Sequence, residues 1–558
     1  MTSLRIGIDV GGTFTDAVLL DCLNVAAEQK VPTRSDALLE TVLTALDALR
    51  LPRDAAIDQI TVSTTLITNA ILQKRLTPTE LLLIPGYGMR LDALAWPVPY
   101  RALQGQLDFR GREIAAVETT EVQEEARRLS LINPCSSVAI VGKFSHRNNA
   151  QELGVEQILK KTAPQLRTTL GHRWGGANIY RRALTAYLNL ACQDEFAAFA
   201  DGLRQAVRQR GFTAPLQILK ADGGVLPLED IRAVDTVYSG PAASMLGALA
   251  DSGEDMPDSY VVIDVGGTST DMGLILDRVP MWSAKGAKIG GFSTQIRAMA
   301  VRSLAMGGDS VVQVEDGQVR IQPYRAGLPC CRGGPELTPT DAMCYLGIVA
   351  IGDQNKAAEG LARQCPVDQT PESLSALAQE ILNVMSQKIT DAVMDLEREW
   401  RDEPTYKIWQ VLHPQQQGNF PIWLSGGPAP GLLRDLTRQS GRAVRSGTRS
   451  GLANAIGAAL ARPAFSRTLH LDTVVGRYRI AETGEQGVWQ GSPRPHKEIT
   501  RLMEEIMTRE SERRGLAPDD WQKEVFDFFP VVDGYSAVGQ VVRGSWHVPA
   551  GIMGRVNQ

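Results

Sequence analysis

The nonapeptide IDVGGTFTD occupies residues 8–16 and recurs as IDVGGTSTD at residues 263–271, with Phe14 against Ser269 as the one difference. Each copy follows a run of β-formers, LRIG and SYVV, and precedes another, AVLL and MGLIL. Apolar residues flanking a Gly-Gly pair on both sides read as strand, tight turn, strand. Two such units in one chain imply two halves built on a single plan.

The intervening sequence supports an α/β protein, because short apolar runs alternate with helical patterns. LLLIPGYG (81–88) and VAIVGKFS (138–145) read as strands running into loops, and 178–213 reads as one long helix. WLSGGPAPGLLRDL (423–436) reads as strand, Gly-rich loop, helix, and SGLANAIGAAL (450–460) as a helix of small residues. We expect a first domain over 1–180, a second over 181–465 and a smaller appended α+β unit over 466–558. Within the last, KEITRLMEEIMTRESERR (497–514) mixes acids and bases around an apolar stripe and reads as a docked surface helix.

With 558 residues, the chain is long enough for several cores at roughly 150 residues each. A net charge of −5 argues against nucleic-acid or membrane-surface partners, which select for basic faces. No apolar run approaches about 18 residues, so no transmembrane helix is expected. Seven cysteines, an odd number without CxxC spacing, fit a reducing, cytoplasmic setting. The six histidines, scattered at 146, 172, 413, 470, 496 and 547, show no metal-type spacing, and the vicinal Cys330–Cys331 reads as buried structure.

The repeated phrase carries its own chemistry. Glycines let backbone N–H groups approach an anion with no Cβ in the way, and threonine hydroxyls add donors. An aspartate at the end of the preceding strand repels phosphate but can hold a Mg²⁺ ion that bridges phosphate oxygens. Two such loops face to face would grip a polyphosphate from both sides. The chain contains no GxxxxGK[ST] and no GxGxxG after a strand, which disfavours Walker and Rossmann binding.

The paired loops match the two phosphate loops of the actin-like ATPase and sugar-kinase superfamily, and the chain resembles its hydantoinase A / 5-oxoprolinase branch. IGIDVGGTFTDAVLL, STTLITNAIL, DGGVLPLEDI followed by YSGPAAS, IDVGGTSTD and RGGPELTPTDA carry that resemblance from residue 4 to about 350. SGGPAP (425–430) and ANAIGAA (453–459) match the superfamily's adenosine-binding part. The resemblance implies two actin-like (ribonuclease H-like) domains around a nucleotide cleft, with a small C-terminal extension. It implies ATP bound by Gly11, Gly12, Thr13 and Thr15, by Gly266, Gly267, Thr268 and Thr270, and by Gly240, Gly426 and Gly427. Asp9 and Asp264 would act in catalysis and organise Mg²⁺. Thr64, Thr65 and Asn69 would line the substrate side, or Ser63 or Thr64 would cap the helix that follows. Asp222 would serve as a base or outer metal group, or would cap a turn.

The implied activity is ATP-dependent hydrolysis of a cyclic amide or related carbonyl compound, activated by phosphorylation, with a B-type partner chain completing the reaction. Self-association is left open. Two other readings stay open: a small-molecule kinase, and an ATP-switched partner protein. The family's Asp-x-His step after the second loop is replaced by Ala300 and Arg302, so Arg302 becomes a candidate ligand for an anionic substrate. The family's His-Gly before Thr-Thr is replaced by Val62-Ser63.

Overall fold

A computed structural model describes residues 4–557 except 35, 52–55, 132–136, 254, 284, 366–367, 403–417, 518–519 and 525. Cys135 and His413 lie outside the described residues.

Both copies of the repeat form antiparallel hairpins with the same surroundings. Leu4–Val10 pairs antiparallel with Phe14–Asp21 and parallel with Ile57–Thr64. Tyr260–Val265 pairs antiparallel with Thr270–Leu276 and parallel with Ile422–Ser425. Asp9 stands opposite Asp16 in the first hairpin, and Asp264 opposite Asp271 in the second. Strands Leu4–Val10 and Tyr260–Val265 are buried on both faces, which is why they read as continuous apolar runs instead of alternating ones.

The first sheet runs in the order Val225–Pro227, Leu216–Leu219, Ile57–Thr64, Leu4–Val10, Phe14–Asp21, Asn24–Pro32. The expected domain break at residue 180 therefore does not coincide with the fold. Helix Ile179–Gln209 buries Ala183, Leu184, Leu188 and Leu203 in the first core, and the strands after it complete the first sheet. Residues 79–170 instead supply a separate four-stranded parallel sheet, with helices Thr119–Leu131 and Ala150–Thr162 and a core of their own. Helix Ile179–Gln209 is the return from that insertion.

In the second domain, helix Pro371–Asp402 presents Leu374, Leu377, Ile381, Met385, Ile389 and Val393 at steps of three and four residues, which builds one apolar face. The C-terminal unit begins at Phe465 and is wholly antiparallel, its long strand Ser536–Val548 paired with Phe465–Asp472. Helix His496–Glu512 packs Ile499, Met503, Ile506 and Met507 onto that sheet beside Trp546. Arg110 and Asp472 tie the unit to the inserted sheet with two hydrogen bonds of 3.1 Å.

The two main domains meet at a crossing of helices Ser239–Asp251 and Ala453–Leu460, both rich in Ala and Gly. A Cβ at Gly247 would lie 2.0 Å from the Ala453 carbonyl oxygen, and one at Gly457 would lie 2.2 Å from that of Ala243. Strand Leu4–Val10 rests against the same helix, since a Cβ at Gly7 would fall 2.0 Å from the Ala455 oxygen. The approach is backbone to backbone, so no side-chain rotation relieves an added methyl group. Gly247→Ala and Gly457→Ala are each expected to destabilise the chain by about 1–3 kcal/mol or more despite alanine's better helix propensity, as read from urea unfolding midpoints.

Candidate functional site

The turns of the repeated hairpins close in the same way. Gly11 N–H donates to the Phe14 carbonyl (3.1 Å) and Gly266 N–H to the Ser269 carbonyl (2.9 Å). Their tips face one another. A Cβ on Gly267 would lie 2.7 Å from Thr13 Oγ1, and one on Gly12 would lie 3.8 Å from Thr268 Oγ1. Between and beside them lies a cavity of about 1190 Å³, lined by both loops and by Asp9, Asp16, Asp264 and Asp271. Gly240, Gly426, Gly427, Thr64, Thr65, Asn69 and Arg302 also face it.

At the inner end, the Asn454 side-chain amide lies 3.3 Å from Asp9 Oδ2 and 3.1 Å from Asp264 Oδ2, donating to carboxylates from both domains. Burial pushes the Asp9 carboxyl up to about 7, with Asp16 and Asp264 adding like-charge repulsion against hydrogen bonds from Ser63 and Asn454. Burial likewise raises Asp271 to about 7, with repulsion from Asp264 adding and a Ser303 hydrogen bond opposing. Asp264 and Asp16 are raised as well, chiefly by burial; Asp16 is partly offset by Lys30, 2.5 Å away.

Asp9 Oδ1 is buried and without a hydrogen-bond partner among the described residues. Carboxylate oxygens in that state suit a hard divalent cation, which takes one or two carboxylates and fills its shell with water. No three His, Cys, Asp or Glu side chains converge as a ready-made metal cage among the described residues.

The second loop is braced from behind by Gly307–Ser310. Gly308 N–H donates to the Gly266 carbonyl (2.9 Å) and Asp309 N–H to that of Gly267 (2.8 Å). Asp309 in turn accepts from Thr340 Oγ1 (3.1 Å). Arg325 then crosses between loops, donating to Thr13 Oγ1 at 2.9 Å while its other nitrogen lies 3.5 Å from Asp309. Phe14 sits between two cations, Lys30 at 5.3 Å and Arg332 at 5.1 Å from its ring centre.

Several expected site residues are placed elsewhere. Thr15 and Thr270 are fully buried and do not face the cavity. Their hydroxyls bond the neighbouring strand and loop, Thr15 with Thr33 Oγ1 (2.9 Å) and Thr270 to the Met306 carbonyl (2.7 Å). Asp222 also lies off the cavity, accepting from Lys220 Nζ (2.9 Å) and Gly224 N–H (3.0 Å), so it caps its own turn. Thr64 Oγ1 accepts from Leu66 N–H (3.1 Å) at the start of the next helix and Thr65 Oγ1 from the Asn69 amide (3.3 Å), and all three residues line the cavity. Arg302 reaches the cavity wall but is held by Glu399 (2.8 Å) and Asp395 (3.5 Å) of helix Pro371–Asp402. Gly426 adopts φ +98°, and a Cβ there would meet the Val265 oxygen at 2.1 Å and Asp264 Oδ1 at 2.8 Å. It therefore packs under the second loop.

Asp16, Asp271, Asn454, Asp309 and Arg332 line the cavity and Arg325 bonds Thr13 of the first loop, and sequence reasoning left these six out. The last Asp of the repeated phrase was the available signal for the first two.

With the site defined, kinship can be read. Residues 182–467 match the Hydantoinase/oxoprolinase family, and residues 5–163 match the Hydantoinase/oxoprolinase N-terminal region. The chain belongs to the hydantoinase/oxoprolinase family. It is 26% identical over 400 residues to caprolactamase subunit alpha of Pseudomonas jessenii, covering 65% of this chain and 57% of that one. It is also 26% identical over 398 residues to the acetophenone carboxylase gamma subunit of Aromatoleum aromaticum, covering 62% and 53%. The match thus spans little more than half the length of these relatives. The nucleotide-free structure of acetone carboxylase, from work on ATP-dependent acetone carboxylation, superposes with a TM-score of 0.73 at 14% identity, covering 100% of this chain and 89% of that one. The fold is of the expected α/β class, with two domains that each carry one copy of the repeated hairpin around a shared cavity and a C-terminal addition. No helix among the described residues is long and apolar enough to cross a membrane.

The raised carboxyl of Asp271 gives a signed expectation. Between its ordinary value near 4 and about 7, the folded state holds a proton that the unfolded state has released. The group therefore withdraws up to about 1.4 kcal/mol of stability per pH unit as pH rises across that window, levelling above it. Buried His146 and His470 titrate with the opposite sign, so the difference between wild type and Asp271→Asn is the clean observable. Without divalent cations, Asp271→Asn is expected to gain stability relative to wild type steadily from pH 5 to pH 7, measured by denaturant unfolding.

Proposed function

We propose that this chain is the ATP-using component of a hydantoinase/oxoprolinase-type hydrolase that activates the carbonyl of a small cyclic amide. The observation that carries this reading is the pair of glycine-threonine loops facing across one cavity, with carboxylates of both domains at their base. Backbone N–H groups of both loops are suited to the phosphate chain, and Thr13 and Thr268 to its outer oxygens. Asp9 and Asp264 suit Mg²⁺, whose charge would offset that of the phosphates. Gly240 and Gly427, where a Cβ would meet nothing within 4 Å, leave room beside the second loop for the nucleoside.

The chemistry required of the residues is alignment. The amide oxygen attacks the γ-phosphorus, the bond to ADP breaks, and the amide carbon then carries a phosphate leaving group. A first water adds at that carbon and the ring C–N bond breaks as the amine leaves with a proton, giving an acyl phosphate; a second water then displaces phosphate, giving an amino acid, ADP and phosphate. Thr65 and Asn69, on the wall beside the first loop, are the groups we assign to orienting the amide. Arg325 and Arg332 supply fixed positive charge near the transferring group, a role that cationic side chains fill in phosphoryl transfer generally. The subunit names of the relatives support a further chain in the complete enzyme, of the B type, that finishes the ring opening.

A second reading has one observation in its favour. Arg302 stands where the family's histidine is expected and is tied to Glu399 and Asp395 instead of being free for substrate. On that reading the cleft closes on ATP as a switch for a partner chain.

The deciding measurement is Mg²⁺-dependent ATP hydrolysis by the purified chain, alone and with hydantoins, 5-oxoproline, other lactams and ketones. Stimulation by cyclic amides is expected, and phosphorylated product accumulating without ring opening would instead indicate a kinase. Tight nucleotide binding that no candidate stimulates would favour the switch. Asp9→Asn and Asp264→Asn should each lower turnover by about 100-fold or more while leaving the circular dichroism spectrum unchanged. An unaltered rate in both would overturn the assignment.

A further inference from the structure

Met281 and Trp282 line the main cleft on one side and a second cavity of about 650 Å³ on the other. The second cavity lies between the second domain and the C-terminal unit, and its remaining lining includes Arg278, Arg297, Arg555, Glu524 and His547. Three guanidinium groups thus share this lining with the Glu524 carboxylate, and Asp222 and Glu482 also lie near enough to Arg297 to favour its charge.

The polar atoms on this lining have few partners. Arg297 holds its guanidinium carbon 3.3 Å from the centre of the Trp282 ring and makes no hydrogen bond or ion pair among the described residues. The indole Nε1 of Trp282 and the Nδ1 of His547 are buried and likewise unpartnered among the described residues. His547 is 8% exposed, and its ring meets Trp282 edge to face. Glu524 lies 3.8 Å from His547 Nδ1, beyond hydrogen-bonding range, and accepts instead from Ser545. Arg278 is paired with Asp258. An indole N–H and an imidazole nitrogen buried without a partner are costly unless a ligand supplies one, and the half-buried Arg297 guanidinium stands beside them without an ion-pair partner among the described residues. Pro280, Met281 and Ile552 provide apolar wall beside them.

We propose that this cavity binds a small organic carboxylate, with its head group on Arg297, Trp282 Nε1 and His547 Nδ1 and its apolar body against Met281 and Ile552. The proposal deepens the amide-opening reading and rests on it for its biological sense, because hydrolysis of an amide releases a carboxylate next to the wall that the two cavities share.

The test is calorimetric titration of the full chain with hexanoate, its uncharged isostere hexanamide, and inorganic phosphate, each with and without a non-hydrolysable ATP analogue. Hexanoate should bind, hexanamide at least 10-fold more weakly, and phosphate not measurably. Arg297→Met should weaken hexanoate at least 10-fold and Arg297→Lys should retain part of the affinity, with ATP-analogue affinity unchanged in both. If Arg297→Met does not fold, His547→Gln carries the same expectation. Absence of hexanoate binding, equal binding of hexanamide, or affinity unmoved by these variants would overturn the proposal. Phosphate binding in place of hexanoate would overturn the organic class. Hexanoate binding by a chain that binds no ATP analogue would leave this site standing and remove the proposed ATP chemistry.

Discussion

Two buried carboxylates from different domains share one amide. Asp9 and Asp264 sit at equivalent ends of equivalent strands, and Asn454 donates to both. Burying two acids in one desolvated setting is unfavourable, and the proton affinities of Asp9 and Asp264, raised first of all by burial, express that cost. The arrangement persists because it is over-determined. Asn454 lies in the helix that crosses Ser239–Asp251 at backbone contact, and the same helix presses on strand Leu4–Val10 through Gly7. The small-residue crossing thereby fixes the carboxylates, and the carboxylates fix where positive charge is wanted.

The two halves are not equivalent, and the single substitution in the repeat marks where they diverge. Phe14 gives the first loop an aromatic face that Lys30 and Arg332 cover from opposite domains. Ser269 gives the second loop no such face. The second loop is held by the Gly307–Ser310 segment instead, through backbone bonds to Gly266 and Gly267. Gly307 has no alternative there, since a Cβ would lie 2.5 Å from the Gly267 carbonyl carbon. One loop is thus rigid within its own domain, while the other is gripped partly from across the cleft.

The hairpins, their glycines and the strand-end aspartates were legible in the sequence because they are local: β-formers, turn and acid lie within nine residues. Thr15 and Thr270 lie off the cavity, and local information suffices to place them there. Side chains alternate along a strand, so Thr15 and Asp16 cannot both face the cleft, and Asp16 pairs with Asp9 on the cleft side. Asp222 followed by two glycines was equally a turn signature, and its carboxylate does accept from Gly224 N–H. The break at 180 failed for a topological reason, since a long insertion separates strands of one sheet and its returning helix looks like the start of something new. Asn454, Arg325 and Arg332 depend on contacts across hundreds of residues, which no local pattern records.

The distribution of contacts across the cleft bears on how it works. At its base the domains meet backbone to backbone. At its mouth they meet through long side chains, Arg325 to Thr13 and Arg332 over Phe14. Guanidinium contacts of that kind are individually weak and readily exchanged for an anion of higher charge. A phosphate chain entering between the loops competes for the same cations, so binding would replace direct cross-domain contacts with contacts through the ligand. On the proposed ATP-using reading, closure would then depend on what lies between the loops, which is the coupling a two-jawed cleft requires.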